Sequence, residues 1–183
     1  MLFRNTKMQY GLITILLHWV IALIMIGLVI IGFYMVYLPI SFRKLQLFGW
    51  HKEWGFLILL LALIRLPWRL INITPLLPDT LPAWQKLSAH AVHWAFYGFM
   101  FALPISGWLL TSASALPMSF FRLFIVPNLI QPDDAARQFW IEVHKWLAYG
   151  LIAVFIAHVG AALKHFFINK DNILRRILWV SKE

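Results

Sequence analysis

Four stretches of this chain are longer and more apolar than any soluble helix needs to be. They run about 11–38, 50–71, 88–115 and 140–167, and about 20 apolar residues suffice to cross the hydrocarbon of a bilayer. Inside lipid a backbone finds no water to bond, so each stretch must satisfy its own N–H and C=O groups, which makes it a helix. The expectation is an all-α integral membrane protein, a four-helix bundle forming a single domain over residues 1–183. Composition agrees, with 62% hydrophobic and 13% charged residues and a mean hydropathy of +0.77. Soluble chains are roughly 45–50% apolar.

The basic start followed by an apolar run looks like an export leader. The run is far longer than the roughly 7–15 residues of a leader's core and no small-residue cleavage site follows, so it reads as a retained first span. With no cysteine, disulfides, thiolate metal sites, iron–sulfur clusters and covalently attached haem are excluded. The net charge of +9 does not point to nucleic acid, because the basic residues are not gathered on one soluble domain. They report topology instead. Four spans place both termini on one side, which would hold Arg4, Lys7, Arg65, Arg69, Lys86, Lys164, Lys170, Arg175, Arg176 and Lys182. The other side would hold only Arg43, Lys44, Lys52, Arg122, Arg137 and Lys145. Positive residues stay inside, so both termini are expected in the cytoplasm. The link around "LPMSFFRLFIVPNLIQPDDAARQF" is too interrupted to span and is expected to lie along the interface as a short amphipathic piece.

Histidine placement carries the chemistry. His144 and His158 lie fourteen residues apart on the fourth span; at 100° per residue they share a face, and they are separated by roughly 21 Å of rise. Each needs a partner at its own depth. His51 opens the second span as His144 opens the fourth, and His18 and His158 each lie a few turns in from the cytoplasm. The depths therefore suggest the pairs His51–His144 and His18–His158. Ionisable groups inside a membrane are costly and usually functional. Two facing imidazoles without a carboxylate or thiolate suit the axial positions of a haem b; zinc would want four ligands. The plainer alternative for any one of these rings is a hydrogen-bonding or interfacial residue, and His93 rivals His158 as partner of His18. The flat ligand and the helix contacts would both be helped by Gly27, Gly32, Gly55, Gly98, Gly107, Gly150 and Gly160, which let backbones approach closely.

"ILLHW", "GWHKEWGFLILLLALIRLPWR", "AHAVHWAFYGFMFALPISGWL" and "VHKWLAYGLIAVFIAHVGAALKHFFINKDNILRRI" together resemble the bacterial cytochrome b561 family, over essentially the whole chain. The resemblance implies an inner-membrane bundle with two haems b, liganded by His18 and His158 toward the cytoplasm and by His51 and His144 toward the periplasm. It implies an electron-transfer function. One activity in the family oxidises superoxide at the periplasmic face and reduces ubiquinone; other members serve as electron-transfer modules for a partner redox protein or dehydrogenase.

Bis-histidine ligation leaves iron no open position, so outer-sphere electron transfer is expected rather than oxygen chemistry. Lys52 and Lys145 follow two of the proposed ligands and are candidates for propionate contacts or for steering a small anion. Glu53, Glu142, Asp133 and Asp134 partly cancel that field. On the cytoplasmic side Lys86, His93, Lys164 and His165, with Thr14, are the candidates for a polar wall beside a quinone.

Overall fold

The computed structural model describes residues 3–78 and 81–178, so Lys182 lies outside the described residues. The chain is mostly helical. Helix α1 spans Leu12–Tyr37, α2 Phe42–Ile71, α3 Ala83–Ala113 and α4 Asp134–Lys164. A π-helical turn, His165–Asn169, continues α4, and a one-turn helix α5 follows at Arg175–Leu178. The four long helices are each apolar enough to cross a membrane. Their outer positions, among them Leu23, Ile30, Leu63 and Ile156, are exposed, as side chains facing lipid would be.

Local chemistry sets the helix ends. The Asp133 carboxylate accepts the Ala136 N–H at 2.6 Å, and the Ser41 hydroxyl accepts the Lys44 N–H at 3.3 Å, so both act as N-caps. The Lys44 ammonium turns back to donate to the Leu38 and Val36 carbonyls at 2.7 and 3.4 Å, satisfying orphan acceptors at the end of α1. These caps lengthen the helices: α2 and α4 begin several residues before the apolar runs that mark them in the sequence.

The chain forms two compact units, each drawing on all four long helices. The first comprises Met1–Val20, Leu63–Gly98 and Leu151–Glu183. Here the N-terminal arm is tied down by Asn5, whose amide oxygen accepts from the Gly11 N–H at 2.9 Å and the Thr14 hydroxyl at 2.7 Å. Its amide nitrogen donates to the Ile73 carbonyl at 2.8 Å. The Trp68 indole donates to Thr14 at 3.0 Å, and the Trp19 indole reaches the Ile177 carbonyl at 2.8 Å.

The second unit comprises Ile21–Ala62 and Phe99–Gly150. The link after α3 is extended chain with one side buried. It forms an antiparallel hairpin of β1, Met118–Phe120, and β2, Phe124–Val126, with Met118 opposite Val126 and Phe120 opposite Phe124. Phe121 and Arg122 turn the chain with positive φ of 46° and 62°, closed by a bond from the Leu123 N–H to the Phe120 carbonyl at 2.9 Å. Strand periodicity wins because alternate side chains, Met118, Phe120 and Val126, are buried against Phe56, Leu57, Leu60 and Trp108. The Ser112 hydroxyl accepts the Leu129 N–H and the Trp108 indole donates to the Pro127 carbonyl, pinning the return of the loop.

Candidate functional site

Within the second unit, His51 on α2 faces His144 on α4 with ring centres 6.1 Å apart and planes at 76°. In the first unit His18 on α1 faces His158 on α4 at 6.4 Å and 58°. A metal–imidazole bond of roughly 2.0 Å, plus about 1.1 Å from ring nitrogen to ring centre, puts two rings on opposite sides of one metal roughly 6 Å apart. Both pairs match that spacing. No cluster of three or more metal-ligating side chains occurs among the described residues, so each pair offers two nitrogens and leaves four positions to a macrocycle.

The second shells of the rings differ. Ser106 is fully buried, and its hydroxyl lies 2.8 Å from both the Leu103 carbonyl and His144 Nδ1. A carbonyl can only accept, so the hydroxyl proton goes there and the oxygen accepts from Nδ1–H. That network assigns the lone pair of His144 to Nε2, the atom an iron needs. His51 Nδ1 is buried without a hydrogen-bond partner among the described residues. Two glycines seat these rings. A Cβ on Gly32 would lie 3.3 Å from His51 Cε1, and one on Gly107 3.3 Å from His144 Cε1. In contrast, open space faces the Cβ positions of Gly27 and Gly55 in the second unit and of Gly98 and Gly160 in the first. Two pairs of facing imidazoles, two rings seated on glycines and a lone pair assigned to Nε2 of His144 fit a haem held by two histidines.

His18 has a charged neighbour. Arg65 on α2 places Nη2 3.2 Å from His18 Nδ1 and Nη1 3.3 Å from the Leu17 carbonyl, and its guanidinium lies 5.9 Å from the centre of the buried Tyr97 ring. Sequence reading counted Arg65 only as a topological charge. The signal was present, since a guanidinium six residues before the end of an apolar helix is an intramembrane ion. Nearby, burial pushes the Tyr10 phenol above its ordinary pKa, opposed by the charges of Arg69, Arg176 and Arg65.

The remaining candidates fall as follows. The His93 ring lies 5.5 Å from that of His158 at 69°; no ring contact joins it to His18 among the described residues. Lys86 is half-buried, Lys164 and His90 exposed. His165 Nδ1 is held by Asp171 at 2.6 Å. Thr14 is occupied by Asn5 and Trp68. Lys52 donates to the Pro117 carbonyl at 3.3 Å. Lys145 is held by both Glu142 oxygens at 2.6 and 2.7 Å, and Arg137 pairs with Asp134 at 3.3 Å.

Known proteins resemble this chain over nearly its whole length. The model of the prokaryotic cytochrome b561 family matches residues 9–179. The chain is 37% identical to cytochrome b561 homolog 2 of Escherichia coli (strain K12), covering 97% of this chain and 95% of that one. Cytochrome b561 homolog 1 of the same organism is 28% identical, with 90% and 93% covered. A Yersinia pestis protein named "probable superoxide oxidase CybB" is 30% identical, with 93% and 96% covered. The chain belongs to the prokaryotic cytochrome b561 family, multi-pass bacterial membrane proteins that bind haem b and transfer electrons.

Proposed function

We propose that this protein carries two haems b, one between His51 and His144 and one between His18 and His158, and passes electrons across the inner membrane from superoxide to ubiquinone. The observation that carries the reading is the pair of facing imidazoles repeated at 6.1 and 6.4 Å, each at the spacing of two axial ligands on one iron. Haem supplies reversible one-electron chemistry when bound. The chain does the rest. Ser106 fixes the tautomer of His144, Gly32 and Gly107 let two rings reach their places, and apolar helix walls keep water out. Two imidazole nitrogens per site would hold each haem, which would favour electron transfer over oxygen binding.

In this reading His51 and His144 lie toward the periplasm and His18 and His158 toward the cytoplasm, following the basic residues. Two superoxide ions each lose one electron and leave as dioxygen; ubiquinone takes two electrons and two protons to become the quinol. His93 beside His158, the Asp171-held His165, Lys86 and Lys164 are the protic groups on the quinone side. The superoxide assignment leans on the name of one relative at 30% identity.

A second reading is an electron-transfer module serving a partner redox protein. It is favoured by the engaged cations: Lys145, Arg137, Lys44 and Lys52 all hold partners within the chain, leaving less free positive charge to draw in a small anion. Purified protein exposed to a superoxide source under anaerobic conditions separates the two. Bleaching of oxidised haem followed by quinol formation, one quinol per two superoxide ions, supports the oxidase. Haem that ignores superoxide but is reduced by a co-purifying dehydrogenase selects the module.

A further inference from the structure

The two histidine pairs are built with opposite second-shell polarity. In the second unit, the one side chain hydrogen-bonded to His51 or His144 among the described residues is Ser106, and its hydroxyl accepts from His144 Nδ1–H. Accepting from that N–H pushes electron density onto the ring and makes Nε2 a stronger donor. In the first unit the group at Nδ1 is Arg65, 3.2 Å away, and a guanidinium only donates. It sits across one imidazole from the nitrogen that would face iron. It cannot easily leave: the Leu17 carbonyl holds its other nitrogen and the Tyr97 face lies beneath it. Nor is its charge cancelled, since the salt bridges among the described residues are Arg137–Asp134, Lys145–Glu142 and His165–Asp171.

We propose that Arg65 raises the reduction potential of the haem held by His18 and His158 above that of the haem held by His51 and His144, and thereby sets the direction of electron transfer toward the His18 side. The inference rests on the two-haem reading above. Reduction adds negative charge at iron, which a fixed cation favours and an electron-rich ligand opposes, so Arg65 and Ser106 separate the two potentials in the same sense. At an effective dielectric of about 20, a unit charge within roughly 8 Å moves an equilibrium by tenfold or more. If His18 Nε2 held the iron, its Nδ1 would carry the ring proton and Arg65 would no longer donate to it, but the Leu17 carbonyl would still hold the guanidinium beside the ring.

Spectroelectrochemical titration of the purified two-haem protein tests this directly. Arg65→Gln is expected to lower the upper midpoint by at least a tenfold change in the redox equilibrium, about 59 mV for one electron, while the lower midpoint stays. Arg65→Lys, which keeps the charge, is expected to hold the upper midpoint near its original value, and Ser106→Ala to raise the lower one. Independently of any Arg65 variant, a His51→Ala chain that retains one haem must titrate at the upper potential. An unchanged or raised upper midpoint in Arg65→Gln, or a His51→Ala haem at the lower potential, overturns the inference and leaves the two-haem reading standing. A wild-type preparation with fewer than two haems per chain fails that reading instead.

Discussion

Two glycines do for the rings of His51 and His144 what no larger residue could. At Gly32 and Gly107 a Cβ would stand 3.3 Å from a Cε1 atom, tighter than ordinary carbon contact, and the ring rather than the helix backbone would yield. Gly32→Ala and Gly107→Ala are each expected to weaken haem retention in the second unit by about tenfold, the usual penalty for disturbing a metal's outer shell. The haem-to-protein ratio of the purified variants measures it; an unaltered ratio of two would show the rings are not tightly seated. Gly11 is constrained differently, with a Cβ there falling 2.5 Å from the Arg4 backbone. Gly11→Ala should cost about 1–3 kcal/mol, read as a lowered thermal midpoint of the detergent-solubilised protein. Of these residues the sequence exposed the four histidines, because an imidazole in an apolar run is conspicuous. It marked Gly32 and Gly107 only as close-approach sites, and gave no sign of Ser106, whose role depends on which helix lies opposite.

At the scale of elements, the two departures from regular helix are both held by side chains. Asp171 closes the turn after α4, binding His165 Nδ1 at 2.6 Å and accepting the Ile173 N–H at 3.0 Å, while Lys170 takes the left-handed conformation at φ 55°. Asp171→Ala removes both bonds and is expected to cost the C-terminal segment about 1–2 kcal/mol. Faster amide exchange over residues 170–178, with α1 unaffected, is the signature. The hairpin of β1 and β2 was hidden from sequence reading because its turn carries Phe121 and Arg122 in place of the asparagine–glycine or glycine pairs that advertise a reversal. Its burial against Phe56 and Trp108 outweighs the cost of two non-glycine residues at positive φ. By contrast the four long helices were legible, since lipid leaves a backbone no other choice.

For the whole molecule, the orientation proposal has a convenient test because the chain contains no cysteine. Phe3 and Ile40 are 64% and 93% exposed and flank α1. A Phe3→Cys chain should react with a membrane-impermeant maleimide only from the cytoplasmic side, and an Ile40→Cys chain only from the periplasmic side. The reverse pattern inverts the route proposed for electrons. Surface charge supplies a second expectation. Since Lys145 and Arg137 are paired with carboxylates, the rate of haem reduction by superoxide should fall less than about tenfold between low and physiological salt.

What the letters alone determined were four lipid-crossing helices and the depth of each histidine, because hydrophobic length and helical rise act locally and need no knowledge of neighbours. The tertiary structure decided what surrounds each ring. Ser106 at His144 and Arg65 at His18 come from different helices, 38 and 47 residues away along the chain. Such pairings follow from how helix faces meet, a property of packing that no single span encodes.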